Sequence, residues 1–180
     1  MKIKPALKVA FTVASIALGS WLFVYVALHR ATAAVTNVRR YDAVLAELKQ
    51  ADPATSHFPD SIPATAHDAT FFYRPQFLQG AALLRLRLTL PEAEITEIDR
   101  RMRAKLSPIS HDDLRELAPE GVPRKGSRSA HASEFEPFPD DSVSFLIAPD
   151  IKTAKENSNH PHNGGISILP SRNEVIYWLN

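Results

Sequence analysis

An uncharged run of 20 residues, Val9–Leu28, constrains what this chain can fold into more than any other feature. Sixteen of its residues are hydrophobic, so a helix over the run has no polar face to turn toward solvent. At about 1.5 Å rise per residue, that helix covers about 30 Å, which matches the hydrocarbon core of a bilayer. Trp21 and Tyr25 lie toward its C-terminal end, where aromatic side chains favour the interface. We therefore predict a transmembrane helix over Val9–Leu28, with the lipid bilayer as its partner.

Basic residues on the two sides of this run are nearly balanced, with Lys2, Lys4 and Lys8 before it and Arg30, Arg39 and Arg40 after it. The short tail at residues 1–8 contains three Lys, which favours a cytoplasmic tail and export of the rest. A cleaved signal peptide is the alternative, because Ala31-Thr32-Ala33 resembles a small-x-small cleavage site. However, the apolar run exceeds the ~7–15 residues of a signal core, and His29 and Arg30 stand just before the site. We expect a retained signal-anchor.

Composition excludes several classes of function. The chain has no Cys, which excludes disulfides, thiolate metal sites and a cysteine nucleophile. Its formal net charge of +1 gives no electrostatic argument for nucleic acid, and we expect no nucleic-acid partner. Residues 31–180 carry 17 Lys or Arg against 20 Asp or Glu. The positive charge is therefore concentrated beside the predicted membrane helix, and the C-terminal part is slightly acidic.

Residues 29–52 are predicted to form an amphipathic stalk helix that continues from the membrane helix. An apolar face repeats there at the i, i+3, i+7, i+10 spacing of a helix, through Val38, Tyr41, Leu45 and Leu48. Pro53 ends the pattern, and residues 53–69 combine three Pro with many small residues, which is typical of a linker. Residues 70–180 are predicted to form the external domain.

The external domain is predicted to be an α+β fold on an antiparallel sheet of about five strands. Period-two alternation is clearest in residues 81–90, where four Leu on one face alternate with Arg and Thr on the other. Strands are expected at 70–74, 81–90, 142–148, 166–169 and 174–179, and loops at 119–141 and 149–165. We expect Pro170-Ser171-Arg172-Asn173 to form the turn between the last two strands, because Pro presets φ and Asn tolerates a positive φ.

One main helix is predicted to pack on this sheet, with Pro91 as its first residue. Its apolar stripe consists of Ile95, Ile98, Met102 and Leu106. Acidic residues precede basic ones along it, as the helix dipole favours, and Glu97–Arg101 and Asp99–Arg103 are favourable i, i+4 pairs. Ser110 followed by Asp113 resembles a capping box, which predicts a shorter helix that ends near Ala118.

Three strings of residues carry a resemblance to a class of proteins: 57–59 (HFP), 72–80 (FYRPQFLQG) and 173–178 (NEVIYW). They resemble marks of uncharacterised small bacterial membrane-anchored or exported proteins. The resemblance covers the first and the terminal predicted hairpins. It implies a bacterial envelope setting. Together with the Lys-rich tail, this setting leads us to expect the anchor in the inner membrane and the C-terminal domain outside the cytoplasm, in the periplasm. It implies no activity.

The sequence offers few candidates for a chemical site. His160 and His162 point to the same side of an extended segment and could share a metal ion, but a zinc site needs a third ligand that spacing does not identify. Ser110-His111-Asp112 has the residue types of a catalytic triad, yet triad members are brought together by the fold, so helix capping is favoured. Paired carboxylates could come from Asp112, Asp113, Asp140 and Asp141, although solvated loops are the usual setting of such residues.

Two groups of basic residues are candidates for binding anions. Arg124, Lys125 and Arg128 form a basic loop that could meet phosphate headgroups or an anionic wall polymer, and a solvated loop is the favoured alternative. Arg85 and Arg87 share one face of a strand, where pairing with nearby carboxylates is favoured over binding an external anion. No aromatic residues alternate with these charges, as single-stranded nucleic acid would require.

We favour a membrane-tethered, non-enzymatic interaction or structural module of the cell envelope. Phe77 and Leu78, apolar residues in a turn, could anchor an envelope protein partner or fold back under the sheet. The alternative is an exported hydrolase or metal-binding enzyme that uses the loops at 107–141 and 150–165. A pilin-like subunit shares the plan of apolar helix, extension and sheet, but Gly-Phe processing and an early Glu are missing from the sequence. The sequence assigns no catalytic, cofactor-binding or metal-binding residue.

Overall fold

The computed structural model of the protein describes residues 18–26, 28, 32–51, 53–76, 82–125, 135–147 and 163–180. The chain divides into two compact units, Met1–Ala33 and Ala34–Asn180. In the first unit, residues 18–26 and Leu28 are helical. Trp21 and Tyr25 stack on this helix with ring centroids 5.6 Å apart.

The predicted transmembrane helix Val9–Leu28 lies largely outside the described residues. Its described part exposes every large apolar side chain, from 39% for Val26 to 75% for Phe23. Within the described ranges, no helix is both long enough and apolar enough to cross a bilayer. The transmembrane part of the predicted fold therefore stays a prediction.

The second unit is built on one antiparallel sheet of five strands, in the order β1-β2-β7-β6-β5. The strands of the unit are β1 (His67–Arg74), β2 (Leu83–Thr89), β3 (Val122–Pro123), β4 (Phe135–Glu136), β5 (Val143–Leu146), β6 (Gly164–Leu169) and β7 (Glu174–Leu179). β3 and β4 form a separate two-stranded ribbon. The helices are α1 (Tyr41–Ala51), α2 (Glu92–Arg103) and α3 (His111–Leu117). The prediction of an α+β fold with a five-stranded antiparallel sheet is confirmed.

Helices and ribbon cover both faces of the sheet, whereas one packed helix was predicted. On the first face, Leu84, Leu86 and Leu88 of β2 form a core with residues of both α1 and α2. On the second face, Ile176 and Trp178 of β7 pack with residues of α3 and β3. β2 is consequently buried on both sides, although its alternation predicts a half-buried strand. The second layer comes from residues 111–125 and 135–136, many of which the sequence indicated to be loop.

The chain before the sheet also differs from the predicted stalk and linker. Val35 forms a β-bridge with Tyr73, so the chain is extended where a continuous helix was expected. A 3₁₀ turn at Val38–Arg40 then leads into α1. Within the range assigned to a linker, Pro53–His57 is a 3₁₀ helix and Phe58 is buried in the first core. These residues belong to the same compact unit as the sheet.

Several local predictions are confirmed. The two hairpins pair as expected, β1 with β2 and β6 with β7. Asn173 adopts φ 55° at the exit of the last turn, the conformation for which an Asn was expected there. Helix α2 carries both predicted ion pairs, Glu97–Arg101 at 3.6 Å and Asp99–Arg103 at 2.8 Å. Its first helical residue is Glu92. Pro91, which was predicted to be the first helical residue, is the N-cap.

Candidate functional site

The most unusual feature of the second unit is a set of charged side chains buried between the sheet and the ribbon. Arg87 lies on β2, and its guanidinium donates to the Glu174 carboxylate of β7 from Nε at 3.0 Å and from Nη2 at 2.7 Å. The same guanidinium donates to Glu136 of the ribbon at 2.7 Å. Thr89 pairs with Glu174 in the register of the two strands, so Arg87 and Glu174 are diagonal neighbours on one face.

Lys125 extends this network toward solvent. Its ammonium group lies 3.5 Å from Glu174 and 3.2 Å from Asp68, and it donates to Thr89 at 3.3 Å. Asp68 has φ 50° and lies at an irregularity in the register of β1. Such a bulge with a charged residue is a common device on an edge strand, because it blocks pairing with another strand.

Burial acts to lower the pKa of Arg87, but its hydrogen bonds to Glu136 and Glu174 outweigh burial and raise that pKa. The two cations of the network, Arg87 and Lys125, face three carboxylates, and each cation contacts at least two of them. An external anion would have to displace a carboxylate from each cation. The favoured sequence interpretation of Arg87, pairing with carboxylates, is confirmed.

Arg85 is a second buried cation, and its partners are different. Its side chain is fully buried and donates to the carbonyl oxygens of Gly121 at 2.9 Å, Leu84 at 3.0 Å and Leu179 at 2.5 Å. It also donates to the side-chain oxygen of Asn180. All of these acceptors are neutral, so the prediction of a carboxylate partner is wrong for Arg85. Burial lowers the pKa of Arg85 to about 9, which leaves the group charged at neutral pH.

His57 is the one histidine with a buried ring nitrogen that lacks a hydrogen-bond partner among the described residues. Its Nε2 lies 3.2 Å from the carbonyl oxygen of Trp178, so a neutral ring that carries its proton on Nε2 donates there. The ring also packs beside Phe58, at 4.5 Å between centroids. A Cβ atom at Gly164 would stand 2.7 Å from the ring, so the glycine makes room for it. Burial lowers the pKa of His57 to about 4.

Ser110, the first residue of the string that resembled a triad, is part of a helix cap. Ser110 Oγ accepts a hydrogen bond from the backbone N–H of Asp113 at 3.1 Å and donates to its carboxylate at 2.7 Å. Ser110 is therefore the N-cap of α3, as the favoured interpretation predicted. Its hydroxyl is committed to the cap and is not placed as a nucleophile beside His111.

The four candidate aspartates do not form a pair of catalytic carboxylates. Asp112 and Asp140 are almost fully exposed and lie on either side of Arg115, at 3.5 Å and 3.4 Å. Asp141 accepts from Ser171, and this hydrogen bond lowers the pKa of its carboxyl group. Asp113 belongs to the cap of α3. Among the described residues, no group of three His, Asp or Glu side chains could hold a metal ion.

Several sequence candidates lie outside the described residues: His160, His162, Phe77, Leu78 and Arg128. The metal-binding interpretation of the two histidines and the partner-anchor interpretation of Phe77 and Leu78 stay hypotheses. In the basic loop, Lys125 belongs to the ion-pair network, and Arg124 is exposed.

Sequence reasoning missed the burial of Glu174 and Asn180 and the position of the His57 ring against the end of β7. For Glu174, the sequence predicted that its strand pairs with residues 166–169, and it gave no sign of the pairing with the strand that carries Arg87. For His57 and Asn180 the determining contacts come from residues more than 60 positions away in the chain, which no local pattern shows. Comparison with protein-family models, curated proteins and solved structures gives no match to this chain.

Proposed function

We propose that this chain is a single-pass membrane-anchored protein of the bacterial cell envelope, with its C-terminal α+β domain outside the cytoplasm. The domain acts as a non-enzymatic interaction or structural module. The observation that carries the anchor is the helix at residues 18–26, on which Leu18, Trp21, Leu22, Phe23, Val24, Tyr25 and Val26 are all exposed. A helix that exposes apolar side chains on every side is suited to lipid and not to water.

Sequence on either side of that helix supports the same proposal. The uncharged run begins at Val9, so the described turns are the C-terminal half of a stretch long enough to cross the hydrocarbon core. Three Lys stand in the eight residues before it, where they suit the cytoplasmic side and its anionic headgroups.

A non-enzymatic role is supported by how the buried polar groups are used. Arg85 ties β2 to β7 and to the turn at Gly121, while Arg87 ties the sheet to the ribbon. Ser110 is committed to a helix cap. Each of these groups stabilises the fold, and the proposal assigns the domain's function to its surface.

The anchor is tested by alkaline carbonate extraction of membranes from cells that express the full chain. The protein should stay in the membrane pellet, and its intact mass should include the N-terminal residues. Leu22→Arg places a charge in the span at a cost of about 3 kcal/mol, and a double variant with Val24→Arg should release the protein. Ala46→Arg, an exposed change in α1, is the matched control and should stay in the pellet. Release of the wild-type protein, or a mass that begins after Ala33, would contradict a retained anchor.

A further inference from the structure

The 3₁₀ helix Pro53–His57 packs against one end of the sheet, where β6 begins and β7 ends. The ring of His57 makes this contact, with Nε2 at 3.2 Å from the carbonyl oxygen of Trp178. The ring also fills the space beside Gly164, because a Cβ atom there would stand 2.7 Å from it and 3.3 Å from the carbonyl oxygen of Ala54. A single imidazole therefore occupies the junction between the helix and the two strands.

This junction suits a neutral ring. With its proton on Nε2, the ring of His57 donates to the carbonyl oxygen of Trp178 and leaves Nδ1 as a bare nitrogen. Nδ1 is buried, and no atom of the described residues is placed to form a hydrogen bond with it. A second proton would therefore create a buried, charged N–H group without an acceptor, which is costly.

The charges around the junction do not compensate for a protonated ring. On α1, the ammonium group of Lys49 disfavours a second positive charge, and its partner Asp60 is 92% exposed. Strand β6 has no charged side chain, and Glu174 stands at the opposite end of β7. Two tyrosines on the neighbouring elements, Tyr41 and Tyr177, stay neutral because burial raises the pKa of each.

Proton uptake at this position favours any state that exposes the ring. Burial is the main cause that lowers the pKa of His57 to about 4, and it outweighs the main-chain groups of Trp178, Ala54 and Gly165, which favour the charged ring. A ring that is released into solvent returns to an ordinary pKa of about 6.5. The smallest state that releases the ring is one in which only this helix leaves its site.

We propose that His57 is an acid-operated switch: protonation of its ring releases the helix Pro53–His57 from the ends of β6 and β7 while the sheet stays folded. This local opening breaks no pairing between strands, and a single 3₁₀ turn has few contacts of its own to lose. Release uncovers the end of the first core at Leu179, which is 1% exposed in the closed form. The switch lies within the second unit and does not depend on the anchor. It provides the domain with an apolar surface that is covered at neutral pH.

The test is amide hydrogen exchange of the full chain in mild detergent, followed by NMR at pH 7 and pH 5 and corrected for the intrinsic effect of pH on exchange. The reporter is the N–H of Phe58, which donates to the carbonyl oxygen of Thr55 at 3.1 Å and loses this bond when the turn is released. From the two pKa values of His57, protection at Phe58 should fall about 20-fold between pH 7 and pH 5. Low urea concentrations should not accelerate this exchange, because a local opening exposes little surface. Amides of β2 should stay more protected and should respond to urea.

Three variants separate the switch from a general effect of acid. His57→Gln keeps a neutral donor for the carbonyl of Trp178 and should abolish the fall in protection at Phe58. His67→Gln, at an exposed histidine of β1, is the matched control and should behave like the wild type. Gly164→Ala displaces the ring and should lower the protection already at pH 7.

Two results would overturn the switch. The first is an equal fall in the wild type and in His57→Gln, because the proton would then act elsewhere. The second is a fall at Phe58 that follows the same urea-sensitive route as the amides of β2, because the helix would then open only when the whole domain unfolds. Unchanged protection in Gly164→Ala at pH 7 would contradict the role of the ring at the junction.

Discussion

The side chain of Asn180 accepts a hydrogen bond from the fully buried guanidinium of Arg85 and donates its own amide to the carbonyl of Leu117. One side chain thereby connects a central strand of the sheet to helix α3. Because Arg85 has only neutral acceptors, its stability in the interior depends on the number and placement of its hydrogen bonds. A substitution of Arg85 that keeps the positive charge but loses some of these hydrogen bonds is therefore expected to destabilise the second face of the sheet.

Arg85→Lys should therefore destabilise the domain although it keeps the positive charge. A lysine ammonium is a compact donor and cannot reach Gly121, Leu179 and Asn180 together as the guanidinium fork does. We expect a loss of about 2–3 kcal/mol in the free energy of unfolding, measured by urea denaturation of the full chain in mild detergent. The control is Arg115→Lys, because Arg115 is exposed and its ion pairs are long. This variant should change the free energy of unfolding by less than about 0.5 kcal/mol. Equal effects of the two variants would contradict this account.

Arg87 and Glu174 should show strong coupling in a double-mutant cycle. Both side chains are 4% exposed, so Arg87→Met leaves the buried Glu174 carboxylate without its main partner and should cost about 3–5 kcal/mol. Glu174→Gln should also destabilise, and the double variant should cost less than the sum of the two single variants. Additive effects would mean that the pair is not a coupled unit.

Gly165→Ala should disrupt the packing of β6 against β7. A Cβ atom at this position would overlap the carbonyl oxygen of Phe145 and the indole ring of Trp178, neither of which can move freely. We expect a loss of about 3 kcal/mol, seen as a lower midpoint of thermal unfolding. Gly19→Ala is the matched control, because nothing lies within 4 Å of its Cβ position. A midpoint for Gly165→Ala that equals that of the control would refute the close approach.

His57 should make the domain less stable in acid. Its pKa falls from about 6.5 in the unfolded chain to about 4 in the folded one, because burial disfavours the charged ring. The unfolded chain therefore takes up the proton first as the pH falls. The contribution of the neutral ring is complete above pH 6.5 and is lost between pH 6.5 and 4, by about 3 kcal/mol. The measurement is the free energy of unfolding across this range for wild type, His57→Gln and the exposed control His67→Gln. If wild type and His57→Gln show the same slope, this histidine does not cause the dependence.

Local chemistry made much of the fold predictable. The alternation of Leu84, Leu86 and Leu88 indicated a strand with one apolar face, and that face packs on helices as expected. Asn173 and Ser110 were placed correctly because a positive φ and an N-cap each require particular residue types. In each case the physical cause lies within a few residues of its effect.

The second face of the sheet was not predictable by the same reasoning. Arginines that alternate with leucines indicate a solvated face, whereas Arg85 and Arg87 are covered by α3 and the ribbon. That cover is set by contacts between residues about 36 to 95 positions apart. Gly164 and Gly165 were predicted to belong to a loop, but they are the first two residues of β6. These strand positions are glycines because a histidine ring and an indole ring occupy the space that their side chains would fill.

The membrane topology of the protein can be measured by the accessibility of single cysteines, because the chain has no cysteine of its own. Ala46→Cys lies on the exposed side of α1, and Lys4→Cys lies in the N-terminal tail. A membrane-impermeant maleimide is applied to spheroplasts, and then to the same cells after lysis. A membrane-anchored protein with an external domain predicts labelling at position 46 before lysis and at position 4 only after it. Labelling at position 4 alone before lysis, or protection of position 46 until lysis, would contradict the account.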